Sequence, residues 1–132
     1  MLIIKNIWED ANMTNGIESY TLSELMQRIE EVINQNPGPI EGLNVIYQFN
    51  ITGNEEAIFQ LKVEGGQAKI SEATEGADCT LILSLVNFKN FLIGKLGGTA
   101  AFMTGKLKMK GDIGKAIKLE GLLREYNLKE HL

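Results

Sequence analysis

The spacing of apolar residues changes once in the first half of the chain, and this change limits how the chain can fold. Between Leu22 and Ile33 apolar residues recur every three or four positions, the period of one face of an α-helix. From Leu43 to Ile51 they recur at every second position, the period of a half-buried strand. The pattern therefore predicts a helix followed by a region that forms a sheet.

Three short motifs set the limits of these first elements. Thr21 and Glu24 belong to the capping box Thr-Leu-Ser-Glu, in which each side chain accepts a hydrogen bond from the backbone N–H of the other residue. The run 36–39, Asn-Pro-Gly-Pro, ends the helix because proline cannot continue it. Gly65 and Gly66 predict a two-residue hairpin turn between the second and third strands.

The second half of the chain alternates further strands and helices that are rich in apolar residues. Cys79 to Leu85 predicts a strand inside the sheet, because the segment is apolar on both sides. Val86 to Leu96 predicts an aromatic-rich helix, and Thr99 is the expected N-cap of a shorter one. Lysines alternate with apolar residues from Lys106 to Lys110, as in an edge strand. The last helix begins near Asp112, and its apolar face is broad enough to indicate a second apolar partner besides the sheet.

The chain lacks the side chains of the common catalytic sites. His131 is the only histidine and the next-to-last residue, and Cys79 lies in an apolar strand, where burial raises the pKa of a thiol. One cysteine and one histidine cannot supply a zinc site. The glycines do not have the spacing of a phosphate-binding loop. We therefore expect no catalytic residue, no metal and no cofactor.

Length and charge narrow the class of partner. A chain of 132 residues is expected to form one domain, and it has no apolar run long enough for a membrane-spanning helix. The single cysteine suits a reducing compartment, so we expect a cytoplasmic location. A net charge of −4 argues against binding to nucleic acid. Residues 95–132, however, contain eight Lys and Arg and only four acidic residues. This positive charge either favours transient contact with anionic head groups at a membrane surface or merely offsets the negative charge of the rest of the chain.

Three segments resemble those of the sterol carrier protein-2 domain. They are residues 77–83, Ala-Asp-Cys-Thr-Leu-Ile-Leu, residues 101–109, Ala-Phe-Met-Thr-Gly-Lys-Leu-Lys-Met, and residues 111–119, Gly-Asp-Ile-Gly-Lys-Ala-Ile-Lys-Leu. The resemblance implies an α+β fold with a five-stranded, mostly antiparallel sheet that is covered by about five helices, and an apolar tunnel between sheet and helices. It also implies ligands such as fatty acids, fatty acyl-CoA, phospholipids or sterols, which the family binds without a metal or cofactor.

The resemblance leads to a prediction of domain organisation, function and site. Residues 21–132 are expected to form the lipid-binding domain, and residues 1–20 an N-terminal extension that packs on it. The expected function is non-catalytic binding and transfer of a lipid in the apolar tunnel. The residues expected to line the tunnel are Phe88, Phe91, Leu92, Leu96, Phe102, Met103, Met109, Ile113 and Ile117.

Two alternatives to a lipid carrier remain at the level of the sequence. The domain is a structural or interaction module if its groove is filled by a partner chain or by its own segment Leu2–Trp8. A cofactor-free hydrolase of lipid esters is the other alternative, and it requires a nucleophile that the sequence does not offer. The sequence leaves the identity of the lipid and the oligomeric state open.

Overall fold

The computed structural model describes residues 16–72 and 75–132, in which a single sheet carries helices on one face. The strands are β1 (Val45–Thr52), β2 (Ala57–Glu64), β3 (Gln67–Glu72), β4 (Cys79–Ser84) and β5 (Lys108–Gly111). The helices of these residues are α1 (Leu22–Gln35), α2 (Leu85–Leu92), α3 (Gly98–Met103), α4 (Ile113–Tyr126) and α5 (Leu128–His131), with 3-10 turns at Gly16–Ser19 and Gly38–Ile40.

The strand order is β3-β2-β1-β4-β5, and every neighbouring pair is antiparallel except β1 and β4, which run parallel. The expected α+β fold with a five-stranded, mostly antiparallel sheet and about five helices is therefore confirmed. β4 lies between β1 and β5, as its apolar residues on both sides predict. β5 is an edge strand, as its alternating lysines predict.

The core lies between the sheet and the helices. The odd-numbered residues of β1, β2 and β4, apart from the half-buried Ala57, are buried on the face that meets α1, α2 and α4. At the centre the ring of Phe49 packs on the rings of Phe59 and Phe88, with ring centroids 5.1 Å and 5.4 Å away. Such aromatic pairs add to the free energy gained from burial alone, so this cluster anchors α2 to the middle of the sheet.

Several predicted ends of elements are confirmed at the level of hydrogen bonds. Both bonds of the capping box form, because Glu24 N–H donates to the Thr21 hydroxyl and Thr21 N–H donates to the Glu24 carboxylate. Asp112 caps α4, which begins at Ile113. Gly65 and Gly66 both have positive φ, as a tight hairpin turn requires.

Two predicted ends are wrong for identifiable reasons. The helix expected over Val86–Leu96 ends at Leu92, because Gly94 adopts a positive φ that leaves the helical conformation. Thr99 is not the N-cap of α3, which begins at Gly98 after Gly97. The Gly98 N–H donates instead to the Glu120 carboxylate of α4, so a side chain from another helix satisfies this terminus.

The N-terminal extension is described only from Gly16 onward. Ile17 is buried, and the Lys89 ammonium donates to the carbonyl oxygen of Tyr20 at 2.8 Å, which ties this stretch to α2. The segment Leu2–Trp8 lies outside the described residues. Within those residues, no helix is both long enough and apolar enough to cross a membrane.

Candidate functional site

Two tyrosines hold α4 against the rest of the fold. The Tyr47 hydroxyl, on β1, donates to the Lys115 carbonyl oxygen at 2.7 Å, and the Tyr126 hydroxyl donates to the Asn36 carbonyl oxygen at 2.8 Å. Burial raises the pKa of Tyr47, and the nearby acidic groups of Cys79, Asp78 and Asp112 raise it further. Tyr47 therefore stays a neutral donor, and the beginning of α4 is fixed above β1.

A close backbone contact sets the angle between β5 and α4. Gly111, the last residue of β5, has a φ of +90°, and a Cβ atom there would lie 2.5 Å from the Asp78 carbonyl oxygen. The next residue, Asp112, donates its N–H to the same oxygen at 2.9 Å. Only glycine fits this joint without strain, so the first turn of α4 begins directly beside β4 and β5.

A cavity of about 170 Å³ lies between α3 and α4, and we call it the α3–α4 cavity. Its walls come from α2, α3, α4, the edge strand β5 and the neighbouring strand β4. Thr99 and Glu120 contribute the only polar side chains of the wall. The lining residues are Leu81, Phe91, Gly98, Thr99, Phe102, Leu107, Met109, Ile113, Ala116, Ile117 and Glu120.

A second cavity, of about 240 Å³, lies between the C-terminal end of α2, the C-terminal end of α4 and the start of α5. We call it the α2–α5 cavity. Although it is larger, its wall is more polar, with Glu120, Arg124, Asn127 and Lys129 beside leucines and Phe91. Burial of an apolar chain favours the wall with fewer polar groups, so the α3–α4 cavity is the better candidate for an apolar ligand.

Phe91 and Glu120 belong to the walls of both cavities and therefore separate them. One carboxylate oxygen of Glu120 accepts from the Gly98 N–H, and the other lies 3.0 Å from the Arg124 guanidinium. The first bond links α4 to the start of α3, and the second is an ion pair within α4 that faces the α2–α5 cavity. Glu120 thus forms a partition that a long ligand would have to displace.

The nine residues expected to line the tunnel fall into separate places. Phe91, Phe102, Met109, Ile113 and Ile117 line the α3–α4 cavity, whereas Leu92 and Leu96 line the α2–α5 cavity. Phe88 is buried in the aromatic core, beside a void of only about 10 Å³. Met103 is 80% exposed and contributes to none of these three spaces. A role of these residues in ligand binding stays a prediction.

Glu120 is the polar side chain of the site that the sequence analysis missed. It follows Ala116 by four residues and Ile117 by three, so it lies on the same side of α4 as the apolar residues of the cavity. An acidic residue within an apolar helical stripe is a signal that a pattern search can detect. The bond that it accepts from Gly98 N–H depends on tertiary structure and has no local signal.

The described residues bring together no group with an evident catalytic arrangement. The Cys79 thiol is buried, and its pKa is raised first by that burial and then by Asp112 and Asp78, which disfavours the reactive thiolate. Over 16–72 and 75–132, no three His, Cys, Asp or Glu side chains are placed to hold a metal ion. What the site offers is apolar surface and a few charged groups at its edge.

Comparison with known proteins identifies what this fold is similar to. The sequence profile of the SCP-2 sterol transfer family matches residues 25–124. Hydroxysteroid dehydrogenase-like protein 2 of Xenopus tropicalis is 34% identical over 114 residues, which are 85% of this chain and 27% of that protein. The chain spans about a quarter of the length of the curated relatives that it matches.

Solved structures show the same architecture. The solution structure of the sterol carrier protein domain 2 of Helicoverpa armigera has a TM-score of 0.67 and 29% identity, over 78% of this chain and 85% of that chain. Sterol Carrier Protein-2 from Aedes aegypti, solved in complex with palmitate, has a TM-score of 0.58 and 16% identity, over 74% of this chain and 93% of that chain. At this lower identity the second likeness shows the fold alone.

Proposed function

The chain belongs to the SCP-2 sterol transfer family, and from that membership we propose that it binds a lipid, with the apolar portion in the α3–α4 cavity, and carries it without chemical change. The observation that carries this proposal is the wall of that cavity, where Thr99 and Glu120 are the only polar side chains. Removal of an acyl chain from water supplies about 0.8 kcal/mol per buried methylene. An apolar cavity that opens to the surface is suited to take up such a chain.

The size of the two cavities suggests how a long chain is accommodated. Small-molecule sites in proteins begin at about 300 Å³, and neither the α3–α4 cavity nor the α2–α5 cavity reaches this volume alone. Together they do. A long acyl chain therefore requires the partition of Phe91 and Glu120 to open, which would create the apolar tunnel that the family resemblance implies.

The charged residues favour an amphiphile with an anionic head group. Arg124 and Lys129 are both on the wall of the α2–α5 cavity, where a carboxylate or phosphate could replace Glu120 as the partner of Arg124. A fatty acid is the simplest ligand of this kind, and palmitate is the molecule bound in the Aedes aegypti structure. Fatty acyl-CoA and phospholipids share this chemistry, whereas a sterol does not use the two cations. The cytoplasmic location stays a prediction from the lone Cys79.

A variant that blocks the cavity tests the proposal. Thr99 is exposed at the edge of the α3–α4 cavity, so Thr99→Trp should close the cavity without disturbing the core. Ala100 is exposed on the same helix and lines neither cavity, so Ala100→Trp is the matched control. After removal of co-purified lipid, the wild type and Ala100→Trp should bind a fluorescent fatty acid saturably, and Thr99→Trp about tenfold more weakly. Absence of saturable binding by the folded wild type would overturn the proposal.

A further inference from the structure

An exposed apolar patch surrounds the α3–α4 cavity where it reaches the surface. The patch consists of Phe102, Met103, Ile113 and Ile117, whose exposed fractions are 50%, 80%, 56% and 70%. Three of these residues also line the cavity, and Met103 follows Phe102 on α3. Among the residues that the structure describes, only two other large apolar side chains, Ile58 and Val86, are comparably exposed. Grouping of this kind marks an interaction surface, whereas single exposed apolar residues are ordinary.

The charge around the patch is mostly positive, with Asp112 beside Ile113 and Glu120 on the cavity wall as the acidic exceptions. Residues 95–118, which contain all four patch residues, have six lysines and a single acidic residue, in a chain whose net charge is −4. Lys106 donates its backbone N–H to Ala101 at the end of α3, and Lys118 follows Ile117 on α4. Both side chains are exposed, and neither forms an ion pair with an acidic residue in the described part of the chain.

Exposed apolar side chains together with nearby lysines favour one kind of binding partner for this patch over the others. Exposed apolar side chains beside lysines are typical of segments that insert shallowly into the interface of an anionic bilayer. A second copy of the chain, packed through the same patch about a two-fold axis, would bring lysines against lysines. An acidic lipid surface satisfies the lysines and the apolar side chains at once.

We propose that the patch of Phe102, Met103, Ile113 and Ile117, with Lys106 and Lys118 beside it, docks the protein on an anionic lipid surface. This inference rests on the proposed function, because it gives the α3–α4 cavity a direct exit into the bilayer. An acyl chain that moves between bilayer and cavity along this path never has to expose its full length to water, which is the main cost of lipid transfer.

Co-sedimentation with vesicles tests the docking surface. Wild-type protein should bind vesicles of phosphatidylcholine mixed with phosphatidylserine more tightly than vesicles of phosphatidylcholine alone, and added salt should weaken the difference. Lys106→Gln and Lys118→Gln should each lower binding to the mixed vesicles about fivefold. Met103→Gln should lower binding to both kinds of vesicle by about tenfold, since it removes an apolar contact and no charge.

The two strands farthest from β5, which are β2 and β3, provide matched controls. Ile58→Gln on β2 and Lys69→Gln on β3 change an exposed isoleucine and an exposed lysine far from the patch, and both variants should bind vesicles like the wild type. Vesicle binding that is absent in the wild type, or equal in patch and control variants, would overturn the proposal. A change in the sedimentation of vesicle-free protein in the patch variants would assign the surface to a second copy instead, and would overturn it as well.

Failure of the docking surface and failure of lipid binding are distinguishable. Lys106 and Lys118 line neither cavity, so their Gln variants should bind a fluorescent fatty acid in solution like the wild type. Fatty acid binding without vesicle binding would refute the docking surface alone. Loss of fatty acid binding in every protein, including the wild type, would refute the proposed function.

Discussion

Glu120 connects the structure of α4 to the size of the cavity that we propose as the ligand site. Its carboxylate accepts the Gly98 N–H and pairs with Arg124, and it separates the two cavities together with Phe91. A bond from a backbone N–H to a carboxylate contributes about 1.5–3 kcal/mol, so the partition is stable in the empty protein. Entry of a long ligand has to overcome that contribution.

Removal of the partition should change the preference for chain length. In Glu120→Ala only Phe91 remains between the two cavities, and each further methylene that becomes buried across the weakened partition should strengthen binding about fourfold. We expect long fatty acids to gain affinity over short ones relative to the wild type, as measured by titration with a series of chain lengths. Glu125→Ala, an exposed change on the same helix, is the control. An unchanged preference in Glu120→Ala would contradict the role of Glu120 as a partition.

Tyr47 illustrates how a buried phenol ties α4 to the sheet. The side chain is 1% exposed, and its hydroxyl donates to the Lys115 carbonyl oxygen. Burial, and then the acidic groups around it, raise the pKa of Tyr47 above its ordinary value of 10.0, so the folded state keeps a proton that the unfolded chain loses. This difference stabilises the fold fully below about pH 10 and is lost as the pH rises above it.

Tyr47→Phe should therefore change stability in two ways. At neutral pH the free energy of unfolding should fall by about 1–2 kcal/mol, because the Lys115 carbonyl oxygen loses its donor. Above about pH 10 the variant should lose stability less steeply than the wild type, by about 1.4 kcal/mol per pH unit. Urea denaturation across this range measures both effects. Equal slopes for the two proteins would show that Tyr47 ionises as readily in the folded state as in the unfolded chain.

Among the helices and strands, the spacing of apolar residues predicts which elements form, but not which part of each apolar face is buried in the core and which part stays exposed. The broad apolar face of α4 divides in the structure. Leu119 and Leu122 are buried in the core, whereas Ile113 and Ile117 remain more than half exposed beside the cavity. A helical period gives the direction of a side chain, but whether that direction meets a strand, a cavity or solvent depends on neighbours distant in sequence.

Neighbours distant in sequence also determine where the other residues predicted to line the tunnel lie. Phe88 packs into the core because Phe49 and Phe59 approach it from two strands, a contact that no local pattern encodes. Met103 has the apolar character of a lining residue, yet it is exposed at the end of α3. The order of the elements and the capping box at Thr21 could be read from the sequence because they depend on neighbouring residues, whereas the start of α3 depends on Glu120 of another helix.

The joint between β5 and α4 offers a test at this scale. In Gly111→Ala the new Cβ atom would meet the Asp78 carbonyl oxygen, and the positive φ would be strained, so the free energy of unfolding should fall by about 2 kcal/mol or more. In Gly121→Ala, within α4, the new methyl group would meet no atom within 4 Å apart from its chain neighbours and the helix's own backbone, and stability should rise by about 0.5–1 kcal/mol.

Chemical denaturation of both variants measures the difference. Because the two substitutions are chemically identical, opposite signs isolate the geometry of the joint from the general effect of replacing glycine. A Gly111→Ala variant as stable as Gly121→Ala would contradict the close approach of β4 and the joint.

At the scale of the whole molecule, an acidic chain carries its lysine-rich segment at one edge of the sheet, where α3, β5 and α4 enclose the apolar cavity. The core fixes α2 and α4 on the sheet, and the joint at Gly111 holds the beginning of α4 beside β4. This arrangement leaves space between elements that are each firmly anchored elsewhere. The proposed function therefore depends on that space receiving the apolar part of a lipid.

NMR spectroscopy of the delipidated protein with added palmitate tests this claim most directly. We expect intermolecular contacts between the acyl chain and the methyl groups of Met109, Ile113 and Ile117 in the α3–α4 cavity. We expect none with Ile29 or Ile70, which surround the void of about 10 Å³ in the core. Saturable binding with acyl contacts only outside the α3–α4 cavity, or no binding by the folded protein, would contradict the claim.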